Sequence, residues 1–292
     1  MASKPRTKRE RFTLGVLISP TLFWLSLFFI IPLFIIFVYS FLDRGTYGGI
    51  EWTFQFDNFV RFVDPLYLRI FGRSLMIAGV TTALCFVFGY PMAYWIATRS
   101  PRTRNAFMLL VMLPFFTNFV VRTYALRFIL FREGVLNQVL FALGLANPED
   151  PPSILFSQEA VVLGLVYAWI VGMVLPCYAS LVGLDRSLVE AAQDLYANRA
   201  RAFLRVTLPL TKAGIVAGTI LVFIPSFGAF VTPDLLGGSK SDMIGNLIVQ
   251  QFGMASDWPF GAAISAVLLV TMVIGTIFYF RSLRTDQAPG LG

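Results

Sequence analysis

The sequence predicts an all-α polytopic membrane protein with six transmembrane helices. Of its 292 residues, 57% are hydrophobic and only 13% are charged, whereas soluble domains average about 25% charged residues. Uncharged runs recur along the whole chain, and most of them reach the about 20 residues that a spanning helix needs. The six runs cover residues 12–42, 74–98, 105–121, 160–184, 213–233 and 258–280.

The first run is predicted to be a retained membrane span. Five basic residues precede it, as in a secretory signal, but such a signal has an apolar core of only about 7–15 residues and a cleavage site. This run is far longer and has no clear site. We therefore expect a basic N-terminus over residues 1–11, a six-span domain over residues 12–281, and a short tail over residues 282–292.

The charges between the runs predict the topology. Lys and Arg are concentrated in four segments, and most of the acidic residues lie in the other three. The basic segments are 1–11, 99–104, 185–212 and 281–292, and the acidic ones are 43–73, 122–159 and 234–257. By the positive-inside rule the basic segments, and with them both termini, are cytoplasmic.

Two external connections have distinct patterns. Hydrophobic residues at helical spacing between residues 59 and 66 predict an interfacial helix, with Pro65 starting a new turn. Residues 137–157 are predicted to be irregular, because Pro151 and Pro152 cannot continue a helix. The third run is short before Arg122 and can extend past it.

The cytoplasmic segment 185–212 is predicted to fold as two short helices. Ser187 and Glu190 have the spacing of a capping box, so the first helix should begin at Leu188. Its apolar stripe falls at positions i, i+3, i+4 and i+7. The stripe consists of Leu188, Ala191, Ala192 and Leu195. The second helix includes Phe203, Leu204 and Val206 and should end at Leu208, because Pro209 disfavours helical geometry there.

The pattern of this segment leaves two interpretations open. It can be an amphipathic element in the headgroup layer, with Arg199, Arg201 and Arg205 held by anionic lipid. It can also be a docking element for a soluble partner.

The same segment resembles the cytoplasmic loop motif of ABC importer permeases. That motif is EAA, three residues, a position usually Gly, nine residues, an aliphatic residue, any residue and Leu-Pro; all its spacings match, and only the Gly is missing. The matching residues are Glu190-Ala191-Ala192, Tyr196 and Val206-Thr207-Leu208-Pro209. The resemblance implies a type I (MetI-like) importer permease coupled to a separate ATPase. The implied coupling residues are Glu190, Ala191, Ala192, Asp194, Leu195, Tyr196, Leu208 and Pro209.

Tyr196 stands where the motif usually has Gly. Glycine suits a turn with positive φ, where a Cβ is costly, so a tyrosine would be strained there. Asn198 enters the left-handed region more readily than most residues, and we predict that the turn has moved onto it.

Further segments resemble the spermidine/putrescine branch of these permeases. The most specific are LPFFTNFVVRTYALRFIL, TPDLLGGSKSDMIGNLI and DWPFGAA. The resemblance implies a bacterial inner-membrane location, a second homologous permease, two ATP-binding cassette subunits and a periplasmic substrate-binding protein. Related permeases for amino-acid-like cations, opines or iron share much of this pattern, so those solutes remain alternatives.

Several kinds of chemistry have no motif in this sequence. Histidine is absent, which removes His catalysis and His metal ligation, and the sequence has no phosphate-binding G-x-x-x-x-G-K-[ST] motif and no hydrolase motif. We expect no enzymatic activity, metal, cofactor or nucleic-acid partner. None of the six runs contains an ionisable residue, which disfavours the remaining alternative, an ion-coupled carrier.

A path for polyamine needs carboxylates to replace hydration and aromatic faces to attract ammonium groups. Asp234, at the outer end of the fifth run, is the candidate carboxylate. Tyr124 and Trp258 are candidate rings, and Asn118 adds a polar group beside a proline kink. Alternatively, Asp234 caps a helix that begins at Leu235.

Overall fold

The computed structural model describes residues 8–46, 48–147, 150–238 and 241–285. Within them the protein is mostly helical, which confirms the predicted class. The strands described form one small antiparallel hairpin, β1 (Asp43–Arg44) with β2 (Ile50–Glu51). Residues 1–7 and 286–292, which belong to the predicted cytoplasmic ends, lie outside the described residues.

The chain divides into two compact units. The first consists of Met1–Asp64 and Gln250–Leu269, and the second of Pro65–Val249 and Val270–Gly292.

The first unit begins with a long apolar helix. Helix α1 (Lys8–Leu25), a π-helical turn (Ser26–Ile30) and α2 (Ile31–Tyr39) follow one another, and Leu17–Tyr39 is long and apolar enough to cross a membrane. None of its most apolar stretch is buried within the protein. Such a helix presents its side chains to lipid, in agreement with the predicted first span.

The predicted interfacial helix is shorter than expected. Helix α3 (Asp57–Phe62) has one and a half turns, and Pro65 starts a separate helix. Asn58 joins α3 to the end of α2, because its amide donates to the carbonyls of Ser40 (3.2 Å) and Leu42 (2.8 Å). Helix α15 (Trp258–Thr285) contains the last candidate span, Trp258–Ile277.

The second unit is built around three helices. Helices α4 (Pro65–Ala97), α8 (Gln158–Val182) and α12 (Lys212–Phe227) pack against one another. Their shared core includes Cys85, Tyr90, Met173, Val174 and Val222, all nearly inaccessible to solvent. The two cysteines of the chain, Cys85 and Cys177, are free and buried.

Two glycines let α12 approach α8 closely. A Cβ on Gly218 would lie 2.7 Å from Met173 Sδ, and one on Gly214 would collide with the Pro176 carbonyl and the Ser180 hydroxyl. The G-x-x-x-G spacing of the two glycines is a recurrent helix-packing motif in membranes. The interface therefore depends on the absence of side chains at these positions.

The third predicted span is not a single helix. Helix α5 (Pro101–Met112) continues as a 3₁₀ turn (Leu113–Phe116), and the chain bends by 90° before α6 (Phe119–Leu130). Asn118 starts α6, because its side-chain carbonyl accepts the backbone N–H groups of Val120 (2.9 Å) and Val121 (3.3 Å). The length of an uncharged run carries no information about a helix cap. The prediction of one continuous helix over residues 105–121 is therefore wrong.

The fifth predicted span is also divided. Helix α12 ends at Phe227, and α13 (Val231–Leu236) is a separate helix. At its other end, α12 meets the preceding segment Arg199–Leu210 at 65°. In the described residues, four helices can cross a membrane alone, and up to six spans result if each bent pair counts as one.

The connections that were predicted to be external contain two further helices. Helix α7 (Val135–Ala142) covers the start of the segment predicted to be irregular, which becomes irregular only from Leu143. Helix α14 (Ile244–Phe252) is fixed at its start, because the Ile244 N–H donates to Ser74 Oγ at 2.8 Å.

Candidate functional site

The predicted coupling segment begins with helix α9 (Arg186–Asp194). The Asp185 carboxylate accepts the Ser187 N–H at 3.0 Å, so Asp185 is the N-cap and the predicted capping box starting at Leu188 is wrong. Asp185 and Ser187 are both good capping residues, and the helix begins at the earlier one. The hydrogen bonds from Ser187 lower the pKa of Asp185, so the capping interaction is present at neutral pH and is lost as pH falls through that pKa.

The turn after α9 lies at Tyr196 and not at Asn198. Tyr196 has φ 61°, and the N–H groups of Tyr196 and Ala197 donate to the carbonyls of Gln193 (3.0 Å) and Ala192 (3.1 Å). These two bonds form a Schellman motif, whose C′ residue is left-handed and usually Gly. Asn198 has φ −69° and instead caps the next helix by accepting the Arg201 N–H at 2.8 Å. The prediction that the turn has moved to Asn198 is wrong.

The second half of the segment runs straight through Pro209. Helix α10 (Arg199–Ala202), a π-helical turn (Phe203–Thr207) and α11 (Leu208–Leu210) are continuous, and Leu208 is helical. The Leu208 N–H donates to the Phe203 carbonyl, five residues back. This π-helical turn directly precedes Pro209, and the helix continues to Leu210 although Pro209 has no N–H. The prediction that Pro209 ends the helix at Leu208 is therefore wrong.

The segment is firmly attached to the spans. The Phe203 ring packs edge-on against Tyr94 (5.2 Å between centroids), and Tyr90 shares a buried hydrogen bond with Thr211 (2.7 Å). From α9, the Arg186 guanidinium donates to the Ala97 carbonyl at 3.3 Å. These contacts join the segment to α4 and to the residue before α12.

Helix α9 is largely exposed on both its polar and its apolar side. Glu190, Ala191 and Asp194 are exposed, and Leu188 and Leu195 of the predicted apolar stripe expose 47% and 82% of their surface. Glu190 also lines a cavity of about 270 Å³ between α9 and the ends of α4 and α8. The stripe exists as predicted, but the described part of the chain leaves most of it uncovered.

The candidate path residues lie on three different helices. Asp234 is exposed on α13, which begins at Val231, so the alternative in which Asp234 caps a helix starting at Leu235 is wrong. Tyr124 is 44% exposed on α6, and α6 packs against α13. Asn118 has the capping role described above. Trp258, in the first unit, packs its ring edge-on against Phe252 at 6.0 Å.

Arg122 was not predicted as a site residue. It is 8% exposed on α6, where its Nη1 donates to the Pro114 carbonyl at 3.1 Å across the break between α5 and α6. Its guanidinium also faces the rings of Phe115 (5.8 Å) and Tyr167 (5.6 Å). An ionisable group is therefore buried in the bent pair, contrary to the expectation from the six runs. The third uncharged run ends immediately before Arg122. A third span extended beyond residue 121 contains Arg122, and this is the sequence signal that could have identified the residue.

These helices and the exposed motif face define an importer permease. Residues 86–284 match the sequence model of the family described as "Binding-protein-dependent transport system inner membrane component". The chain belongs to this family, whose members are transport permeases of the inner membrane and not a class of enzymes.

The chain is similar to spermidine/putrescine transport system permease protein PotB. It is 40% identical to that of Salmonella typhimurium (strain SL1344) over 270 residues, which are 92% of this chain and 93% of the relative. It is 41% identical to that of Escherichia coli (strain K12) over 261 residues, 89% and 94% of the two chains.

The fold is also found in a solved structure. A chain of a bacterial alginate ABC transporter, in complex with alginate pentasaccharide-bound periplasmic protein, superimposes with a TM-score of 0.76. The match covers 97% of this chain and 98% of the other at 20% sequence identity, so it supports the fold alone. The protein is an ABC importer permease with the predicted fold.

Proposed function

We propose that this permease forms the membrane path for polyamines such as spermidine and putrescine. The observation that carries the proposal is the identity of about 40% to PotB proteins over roughly nine tenths of the chain. Labelled spermidine and putrescine uptake by the reconstituted importer is the direct test. Uptake of an opine, an amino-acid-like cation or iron, without uptake of either polyamine, would identify another cargo.

The importer requires further subunits. We infer a second homologous permease, two ATP-binding cassette ATPases and a periplasmic substrate-binding protein. The family is binding-protein-dependent, and the alginate transporter was solved with a periplasmic protein. The exposed face of α9 and its attachment to α4 support a docking role for residues 185–212. An ATPase bound there supplies the energy, and this chain conducts the solute.

Both termini are proposed to be cytoplasmic, which follows from the charge distribution. Cys85 and Cys177 are buried, so cysteines introduced at Asn147 and Asn198 should label over a low background. We expect an impermeant thiol reagent added outside intact cells to label the first and not the second, with both labelling after permeabilisation. The reverse pattern in intact cells would invert the topology.

Asp234 is proposed to contact the cargo. It is exposed, its backbone N–H donates to the Phe230 carbonyl, and its carboxylate caps no helix among the described residues, so Asp234→Asn removes charge with little effect on folding. Loss of one charge-assisted contact with an ammonium group, about 1.5 kcal/mol, should reduce uptake at limiting spermidine about tenfold. Asp242→Asn, in the same external segment, is the control. Equal uptake by the Asp234→Asn variant and the parent would remove Asp234 from the path.

A further inference from the structure

We propose that the turn after α9 carries an aromatic anchor for the ATPase, in which the Tyr196 ring and the adjacent Leu195 side chain occupy an apolar cleft of that subunit. This inference rests on the docking role proposed above and adds a recognition residue to it. The two residues are called the turn anchor below.

The first observation is a strained residue whose side chain lacks contacts. Tyr196 has φ 61°, a region that residues with a Cβ rarely adopt. Its side chain is 96% exposed, and it makes no hydrogen bond or ring contact with the described part of the chain. The Schellman bonds fix the backbone, and glycine would satisfy them without strain. Strain of this kind at an exposed position points to a function for the side chain outside the chain.

The second observation is the apolar surface around Tyr196. Leu195, the neighbouring residue, is 82% exposed, and Leu188 on the same helix is 47% exposed. Tyrosine is one of the residue types that dominate the binding energy of protein interfaces, because it buries a large rigid surface. The two residues of the turn anchor are the most exposed of these three.

The charges near the turn anchor favour a protein over a lipid surface as its partner. The exposed charges of the segment are of both signs. The basic residues are Arg186, Arg199, Arg201 and Arg205, and the acidic ones are Asp185, Glu190 and Asp194. An anionic membrane attracts the arginines and repels the three carboxylates. Insertion of the Tyr196 ring into a lipid headgroup layer also does not require one particular backbone conformation at residue 196. A folded partner can place charges opposite both signs, so we expect an apolar cleft with basic and acidic groups on different sides.

A fixed turn gives the ring a defined direction. Because α9 and α10 are capped at Asp185 and Asn198, on either side of Tyr196, the ring projects from a rigid helix-turn-helix. Preorganisation of this kind lowers the entropic cost of binding. The turn anchor therefore contributes to affinity for the ATPase, while the attachment of the segment to α4 transmits its movement.

Substitutions at residue 196 distinguish the contribution of the Tyr196 ring to ATPase binding from that of the turn conformation. The intact permease assembly in lipid nanodiscs is titrated with its ATPase, and the thermal unfolding of the assembly is measured without the ATPase. Tyr196→Gly and Tyr196→Asn keep a left-handed turn but lack the ring, so we expect equal or higher thermal stability and about tenfold weaker ATPase binding. Tyr196→Phe keeps the ring and should bind like the parent.

Two outcomes overturn the inference. If Tyr196→Gly binds the ATPase as tightly as the parent, the ring is not an anchor. If ATPase binding is unchanged and binding of the assembly to anionic vesicles falls, the ring contacts lipid instead. The docking proposal is tested independently, because it requires the Glu190→Lys variant to lose ATPase coupling even when residue 196 is unchanged.

Discussion

Glu190→Lys is expected to abolish ATP-driven uptake while leaving the permease folded. Glu190 is exposed on α9, and its carboxylate makes no hydrogen bond or ion pair within the described residues, so charge reversal costs the isolated chain little. In the proposed complex the lysine presents the wrong sign to a partner arranged for a carboxylate. Like charges across an interface cost several kcal/mol, which corresponds to a loss of more than about 100-fold.

The measurements are substrate uptake and cargo-stimulated ATP hydrolysis by the reconstituted importer. Glu133→Lys is the matched control, because it reverses an exposed carboxylate in an external segment. Thermal unfolding of each variant shows whether the fold is intact. If the Glu190→Lys importer assembles, transports and hydrolyses ATP like the parent, residues 185–212 do not couple the ATPase.

Gly214→Leu is expected to prevent stable packing of α12 on α8. Any Cβ at residue 214 meets the Pro176 carbonyl and the Ser180 hydroxyl, and the helix backbone cannot move aside as a flexible side chain can. Overpacking costs about 1–3 kcal/mol even where neighbours can adjust, and we expect at least the upper end of that range here. The observable is the yield of monodisperse protein in mild detergent and its unfolding temperature.

The control for this substitution is Gly79→Leu on α4. A Cβ at Gly79 meets no atom within 4 Å, and the residue is exposed, so the same added side chain should be tolerated. If both leucine variants unfold at the parent temperature, the close approach of α12 and α8 does not limit stability.

Composition predicted the class of the fold because a bilayer selects for length and apolarity. The first, second, fourth and sixth runs each correspond to a helical stretch that is long and apolar enough to cross a membrane, and such a stretch needs no local signal to be recognised. The breaks were missed because they depend on single residues. Asn118 starts α6 with two hydrogen bonds, and Arg122 bonds back across the bend, while run length counts only uncharged residues.

The motif located the coupling segment, but its local geometry could not be predicted from propensity. Asparagine adopts the left-handed backbone conformation more readily than tyrosine, but the Asn198 side chain caps α10 instead. The bonds of the Schellman motif then leave residue 196 as the turn, and a tyrosine occupies it. Likewise, the π-helical turn shifts the hydrogen bonding so that Pro209 lies inside a helix.

The break between α5 and α6 has a consequence for how the chain enters the bilayer during synthesis. Residues 101–116 are about 24 Å long as a helix and α6 about 18 Å, and both fall short of the about 30 Å hydrocarbon layer. Alone in lipid, α6 would also expose the Arg122 guanidinium, whose ring partner Tyr167 is on α8. Within the pair, Arg122 keeps its hydrogen bond to the Pro114 carbonyl and loses only the Tyr167 ring. We therefore expect the pair to enter lipid less readily alone than together with α8.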